Sequence, residues 1–209
     1  MIAIIEYGAG NQTSVKRALD YLRIPAEITA DPLRVQKAEG IIFPGVGAAR
    51  QAMAAIGQSG LEDTLRQSVS QGIPLLGICL GCQILLDHSE EENTDCLGLI
   101  SGDCRKFEAN LVDSEDYPIK IPHMGWNSVN FVKNDPLGID IPPEAEFYFV
   151  HGYYVAPPEE LVIATTKYGH SFCSIYGRPG LWGAQFHPEK SGRFGLQLLK
   201  NFYNYCITN

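Results

Sequence analysis

Cys79 sits in the segment Gly77-Ile78-Cys79-Leu80-Gly81, a G-x-C-x-G pattern. It lies where an apolar run, residues 74–79, meets a helical pattern, residues 80–88. Small residues on both sides allow a tight, strained turn that lifts a side chain off a sheet edge, as in the serine nucleophile turn of α/β hydrolases. A helix N-terminus behind the sulfur favours the thiolate. The N–H of Leu80 can then face a developing oxyanion. These features point to a nucleophile; the bland reading, a structural cysteine in an apolar strand, gives the glycines no role. Cys79 and Cys82 also form C-x-x-C, which a redox disulfide or half a zinc site could use. Zinc needs a second ligand pair at suitable spacing, which the sequence lacks, and a redox pair leaves the remaining motifs idle.

A thiol nucleophile needs a base, and the base needs a third group that sets its tautomer. His187 and Glu189 stand two apart with Pro188 stiffening the chain between them, directly after the apolar run 181–186. Such a pair can place the carboxylate on one imidazole nitrogen while the other faces Cys79. His88, His123, His151 and His170 are by default core or surface residues, although His123 and His151 fall inside further motifs.

Bringing Cys79 and His187 together requires their two strands to end on one edge of a parallel sheet. The first half of the chain supports this. Residues 2–7, 40–43 and 74–79 are short apolar runs. Between them Val15, Ala18, Leu19 and Leu22 recur on one helix face, as do Leu61, Leu65 and Val69. This β-α-β-α rhythm predicts a parallel sheet covered on both faces. From about residue 103 to 174 the segments shorten and gain β-branched and aromatic residues: 127–132, 147–150, 162–166 and 171–176 read as mixed or antiparallel strands. Phe194, Leu198 and Phe202, backed by Leu199, Tyr203 and Cys206, define a C-terminal amphipathic helix. No linker, repeat or low-complexity tract interrupts the pattern.

The 209 residues suit a single domain, 1–209, with a sizeable core. With 45% hydrophobic and 19% charged residues the composition is that of a soluble globular protein. A formal charge of -8 without basic runs argues against nucleic-acid binding. No apolar stretch approaches the roughly 20 residues of a membrane span. The apolar N-terminus lacks a basic region and a cleavage signature, so it reads as a first strand and not a signal peptide. Six cysteines are too sparse for a disulfide scaffold, and a reducing cytoplasm is expected.

Several segments, in order along the whole chain, resemble the class I glutamine amidotransferases: Tyr7-Gly8-Ala9-Gly10-Asn11, Pro44-Gly45-Val46-Gly47, residues 77–83, Ser89-Glu90-Glu91, Phe149-Val150-His151 and His187-Pro188-Glu189-Lys190-Ser191. Pro122-His123-Met124-Gly125-Trp126-Asn127, with the PGVG and HPEKS segments, narrows the resemblance to the glutaminase subunits of histidine biosynthesis. The amidotransferase parts of anthranilate and aminodeoxychorismate synthases are similar around the cysteine and histidine but lack PHMGWN and carry a different loop in place of PGVG. The chain departs from its branch at Cys82, where methionine is common, at Gly152, where Ser or Thr is usual, and at Gln12, where an apolar residue is commoner.

The resemblance implies a flavodoxin-like α/β fold: a mixed, mostly parallel sheet flanked by helices, with a smaller antiparallel section. It implies hydrolysis of L-glutamine by Cys79, His187 and Glu189, with an oxyanion hole at Val46, Gly47 and Leu80. Gln83, Glu91, His151, Gly152 and Tyr153 would bind substrate; a solvated loop charge is the other reading of Glu91. Asn11, Trp126, Tyr148 and Lys190 would face a (β/α)8 barrel cyclase subunit, the heterodimer partner that receives ammonia and closes the ring of imidazole glycerol phosphate. The phosphate-bearing acceptor belongs on that partner, because this chain has no GxxxxGK[ST] loop. No metal or cofactor is implied. Two alternatives remain at this level: the same chemistry in a paralogous complex that aminates a surface-sugar precursor, and a non-enzymatic regulatory module. The latter would be expected to lack a catalytic member, and all three are present.

Overall fold

Ile2, Ala3, Ile4 and Ile5 are all fully buried, as a parallel strand covered on both faces requires. The computed structural model describes residues 1–8, 11–113 and 115–208; Ala9 and Gly10 of the first glycine loop lie outside them. The first half runs β1 (Ile2–Ile5), α1 (Gln12–Tyr21), β2 (Ala26–Thr29), α2 (Pro32–Gln36), β3 (Gly40–Gly45), α3 (Ala49–Ser59), α4 (Leu61–Ser70) and β4 (Leu75–Cys79). It continues with α5 (Leu80–Gln83), β5 (His88–Ser89), β6 (Thr94–Asp95), β7 (Asp103–Lys106), β8 (His123–Phe131), β9 (Ala145–His151) and β10 (Tyr153–Ala156). Last come β11 (Val162–Tyr168), β12 (His170–Arg178), β13 (Leu181–Ala184) and α6 (Gly192–Thr208).

Strands β2-β1-β3-β4-β13 form a parallel sheet. Its two faces follow the period-two alternation of side chains. Ile2, Ile4, Ile42, Leu76 and Ile78 point into one core, closed by Val15 and Leu19 of α1 and by Leu198, Leu199 and Phe202 of α6. Ala3, Ile5, Ile41, Phe43 and Leu75 point into the other, closed by Ala52 and Ile56 of α3 and Leu61 and Leu65 of α4. Beyond β13 the sheet turns antiparallel through β12, β10 and β7, and β12 also pairs with β11, which leads to β8 and β9.

The placement of β13 matters most for function. It lies parallel to β4 in the register Leu181↔Leu75 to Ala184↔Ile78. The chain segments that follow Ile78 and Ala184 therefore leave the sheet side by side on its carboxyl edge.

The helix expected over 80–88 is shorter. α5 ends at Gln83, and residues 88–89 form a strand. Ile84, Leu85 and Leu86 are all buried, so this stretch has no wet face. Its carbonyls are taken by the loop that packs on it: Leu97 N–H donates to Ile84 O, Gly98 to Leu86 O, and Leu99 and Ile100 to Leu85 O. These bonds replace the helical ladder and satisfy the buried groups from outside.

Candidate active site

Cys79 has φ 53° and ψ −111°, far outside the regions open to an ordinary residue. Holding a non-glycine there costs about 1–3 kcal/mol, and the surrounding turn over-determines it. A Cβ on Gly81 would lie 1.8 Å from Phe43 O, so only glycine lets the head of α5 press against β3. A Cβ on Gly77 would meet the Cys82 backbone at 2.9 Å and Leu85 Cδ1 at 2.8 Å. The two glycines of the pattern thus allow the close approach that turns the thiol off the sheet. Cys79 Sγ lies 3.8 Å from Val150 O. Leu80 opens α5, so its N–H is one of the four a helix leaves without an intrahelical partner.

His187 follows β13 on the adjacent strand end and is 1% exposed. Its Nδ1 lies 2.7 Å from Glu189 Oε1, and the Glu189 side chain is fully buried. The same Oε1 accepts from Asn11 Nδ2 at 2.5 Å. An acceptor-only carboxylate places the proton on Nδ1, leaving Nε2 as the working nitrogen. That nitrogen is buried and meets no partner of good hydrogen-bond geometry among the described residues. Burial alone would lower the His187 pKa; the proximity and charges of Cys79 and Glu189 outweigh it and raise the pKa to about 10. The turn is clamped from behind. His187 N–H donates to Tyr148 O at 2.9 Å, Tyr148 N–H to Ser191 Oγ at 2.9 Å, and Ser191 Oγ to His187 O at 2.6 Å.

Cys79 and His187 open onto one cavity of about 350 Å³, within the size range of small-molecule sites. Its wall brings together residues from six separate segments, that of His187 included. Val46 and Gly47 follow β3, and Leu80 and Gln83 belong to α5. Glu91 comes from the β5–β6 turn, and His151, Gly152 and Tyr153 from the β9–β10 corner. Pro122 and Val150, to which the sequence reading gave no role, line it too. Gly47, in the loop after β3, has φ 98°, a conformation glycine alone adopts freely. Glu91 Oε2 accepts from Ala49 N–H at 2.7 Å, so this carboxylate caps α3 while lining the cavity. Gln83 Nε2 donates to Tyr153 O at 3.0 Å and lies 3.3 Å from Gln185 Oε1.

Behind the β9–β10 corner, His151 Nδ1 lies 2.7 Å from Tyr153 O, and its Nε2 lies 3.0 Å from His123 Nδ1. Burial lowers the pKa of His123 to about 4. It lowers that of His151 to about 3, against the Tyr153 carbonyl and with help from the neighbouring His123 and His187. Both rings are therefore neutral. Cys82 is buried beside Cys79, and burial raises its pKa well above the ordinary thiol value, so the second cysteine of C-x-x-C stays a thiol. No cluster of metal-binding side chains occurs among the described residues.

Of the remaining residues singled out by sequence, Trp126 and Tyr148 pair across β8 and β9 and meet edge to face at 6.2 Å. Trp126 is 54% exposed, with Met124 beside it at 62%. Lys190 is exposed just after Glu189. Ser191, part of the HPEKS segment but given no role, is the buried clamp behind His187.

Comparison with known proteins agrees with this geometry. The family described as "Glutamine amidotransferase class-I" matches residues 3–206. Imidazole glycerol phosphate synthase subunit HisH of Nitratidesulfovibrio vulgaris (strain DP4) is 60% identical over 206 residues, covering 99% of this chain and 97% of that relative. HisH of Moorella thermoacetica is 48% identical over 203 residues, with 96% and 93% covered. A solved glutamine amidotransferase superposes with a TM-score of 0.76 at 17% identity over the full length of both chains. PurLQS from Thermotoga maritima gives 0.73 at 18% identity, over 98% of this chain and 97% of the matched one. At such identities the structures speak for the fold, while the sequence relatives speak for the branch. The chain belongs to the class I glutamine amidotransferases, in the branch of the imidazole glycerol phosphate synthase subunits HisH.

Proposed function

We propose that this chain is the glutaminase subunit of an imidazole glycerol phosphate synthase. The observation that carries the reading is the buried pair of a strained Cys79 and His187 facing one cavity, with Glu189 on the ring nitrogen Nδ1. The Cys79 thiolate attacks the side-chain amide carbon of L-glutamine. The carbonyl oxygen becomes an oxyanion held by the N–H of Leu80 and by N–H groups of the Val46–Gly47 segment. His187 gives its Nε2 proton to the leaving nitrogen, so ammonia departs and a glutamyl thioester remains. Water then gives a proton to His187 and attacks the thioester; glutamate leaves and the resting pair is restored. Glu189 keeps the imidazole in its tautomer and stabilises its charged form. One oxyanion donor contributes about 2.7–4 kcal/mol, so a loop that supplies it on demand can govern the rate.

Gln83, Glu91, His151, Gly152 and Tyr153 form the wall for the glutamine head group in this reading. Asn11, Trp126, Tyr148 and Lys190 form the face for a (β/α)8 barrel cyclase subunit that takes up the ammonia, with residues 1–209 acting as one domain. The 60% identity to a HisH subunit supports this choice of partner over a sugar-aminating complex. No helix among the described residues is long and apolar enough to cross a membrane, and the six cysteines are unpaired. Both facts accord with a reducing, cytoplasmic setting.

The test is copurification with the cyclase subunit, followed by glutamate release and ring closure. Cys79→Ala should abolish glutamine-dependent turnover, while the complex still uses added ammonium salts. Normal glutamate release by Cys79→Ala, or its loss in Cys82→Ala alone, would overturn the assignment.

A further inference from the structure

Tyr153 O can only accept a hydrogen bond, so the proton of the neutral His151 ring is on Nδ1, 2.7 Å away. His151 Nε2 is then an acceptor, and His123 Nδ1, 3.0 Å from it, must be the donor. His123 Nε2 in turn accepts from Asn127 Nδ2 at 3.2 Å. The orientation of Asn127 is set independently. Its Nδ2 also donates to Lys167 O at 3.0 Å, and its Oδ1 accepts from Ser128 N–H at 2.8 Å. Backbone groups thus fix the polarity of the relay at both ends. A second proton on either ring would set two N–H groups against each other, at the His123–His151 contact or at Asn127.

The relay ends on the cavity wall. Tyr153 O accepts from both His151 and Gln83, and Gly152 O accepts from Phe107 N–H at 3.2 Å. His151 and Gly152 line the cavity; His123 does not, and is 2% exposed behind it. Its ring is stacked between Phe149, at 4.7 Å, and Tyr168, at 4.0 Å. Sandwiched in this way, it can turn only with difficulty.

We infer that His123 is a positioning residue for the glutamine pocket: as an obligatory Nδ1–H donor it locks His151, and through it the Gly152–Tyr153 wall against which substrate is held. The inference rests on the glutaminase reading and adds to it a residue that touches no substrate. His151 also adjoins His187, which must carry positive charge during ammonia release, so a relay that admits no second proton keeps a competing cation out of the site.

Two variants separate the hydrogen bond from the stack. His123→Phe keeps an aromatic ring between Phe149 and Tyr168 but removes the donor, leaving His151 Nε2 buried and unpaired. His123→Asn loses the stack, but its Nδ2 stands where the histidine Nδ1 stood. Glutamate release is measured against L-glutamine concentration at saturating cyclase subunit. His123→Phe should raise KM about tenfold with kcat within about threefold, because a misplaced wall weakens substrate and transition state alike. His123→Asn should return KM to within about threefold of the wild type. On the unaltered chain at neutral pH, imidazole nitrogen NMR should find His123 and His151 both as neutral Nδ1–H tautomers.

A KM unchanged in His123→Phe would overturn the inference. So would an Asn variant as impaired as the Phe variant, or an Nε2–H tautomer at either ring. A wild-type complex that releases no glutamate would instead refute the glutaminase reading, and the tautomers would still decide the relay.

Discussion

Asn11 and Glu189, 178 residues apart in sequence, meet through a 2.5 Å hydrogen bond to the same carboxylate oxygen that binds His187. Asn11 stands at the head of α1, on the edge proposed to meet the cyclase subunit, so one residue links that face to the orienting carboxylate. Charge-assisted bonds of this kind are about twice as strong as neutral ones. Asn11→Ala should lower kcat of the complex about tenfold to a hundredfold with little change in KM, since Glu189 then swings more freely. Steady-state kinetics with saturating partner checks this; a pure KM effect would place Asn11 outside the catalytic chain.

The two halves of the base should be unequal. His187→Asn removes the proton carrier and the counter-charge of the thiolate together, so it should cost more than the roughly 10²–10⁴ of acid-base catalysis alone. Glu189→Gln keeps an oxygen where Asn11 and His187 donate but loses the charge, and should be milder. Glutamate release at saturating glutamine measures both. Near-normal rates in His187→Asn would mean a different base.

Activity should depend on the partner. Tyr148 pairs with the exposed Trp126 on one side and is bonded to the His187 and Ser191 backbone and hydroxyl on the other, so a partner seated on Trp126 presses directly on the catalytic turn. A partner that prefers the oxyanion-competent state of the Val46–Gly47 loop shifts that equilibrium by its differential affinity. About 2.7 kcal/mol of such preference gives a hundredfold change. Glutamate release should therefore rise from the isolated chain to the complex, and again with an acceptor analogue, while Trp126→Ala loses most of the rise. Equal turnover in all three states would exclude gating.

The histidines give stability opposite pH slopes on the two sides of 6.5. His123 and His151 have folded pKa values depressed from 6.5 to about 4 and about 3, so the unfolded chain takes up protons first. Their contribution is present above 6.5 and is lost as pH falls toward 4 and 3. His187, raised to about 10, acts in the other direction: its contribution is present below 6.5 and is lost as pH rises through 10. Melting temperature should fall from pH 6.5 to 5, less steeply in His123→Phe, and fall again from pH 7 to 10, less steeply in His187→Asn. Slopes unchanged by the substitutions would assign the pH dependence to other groups.

Much of the site could be read from the chain because its constraints are local. Gly77 and Gly81 flank Cys79 by two positions, and their absent side chains are what the turn requires. His187 and Glu189 are two apart and bonded at 2.7 Å. The strands β1, β3 and β4 were visible as continuous apolar runs because both faces of a parallel sheet are covered. β2 and α3 were not visible. β2 is an edge strand with three half-buried residues, and α3 buries two alanines and one isoleucine, too weak a stripe to register. The apolar pattern after Cys79 runs on past Gln83 although α5 ends there, because the residues 96–100 that capture the next carbonyls are distant in sequence.

Residue types and spacings by themselves singled out Cys79, His187 and Glu189 as the candidate nucleophile, base and orienting carboxylate, and they determined the α/β fold class, since each depends on neighbours a few positions away or on side-chain periodicity. Only the tertiary structure decided the rest. It set β13 beside β4, so that His187 and Cys79 face one cavity. It brought Asn11 onto Glu189 and stacked His123 behind His151. These contacts depend on where strands far apart in sequence pair and which loops fold over them, a choice made by the burial of the whole core, to which no local pattern is tied.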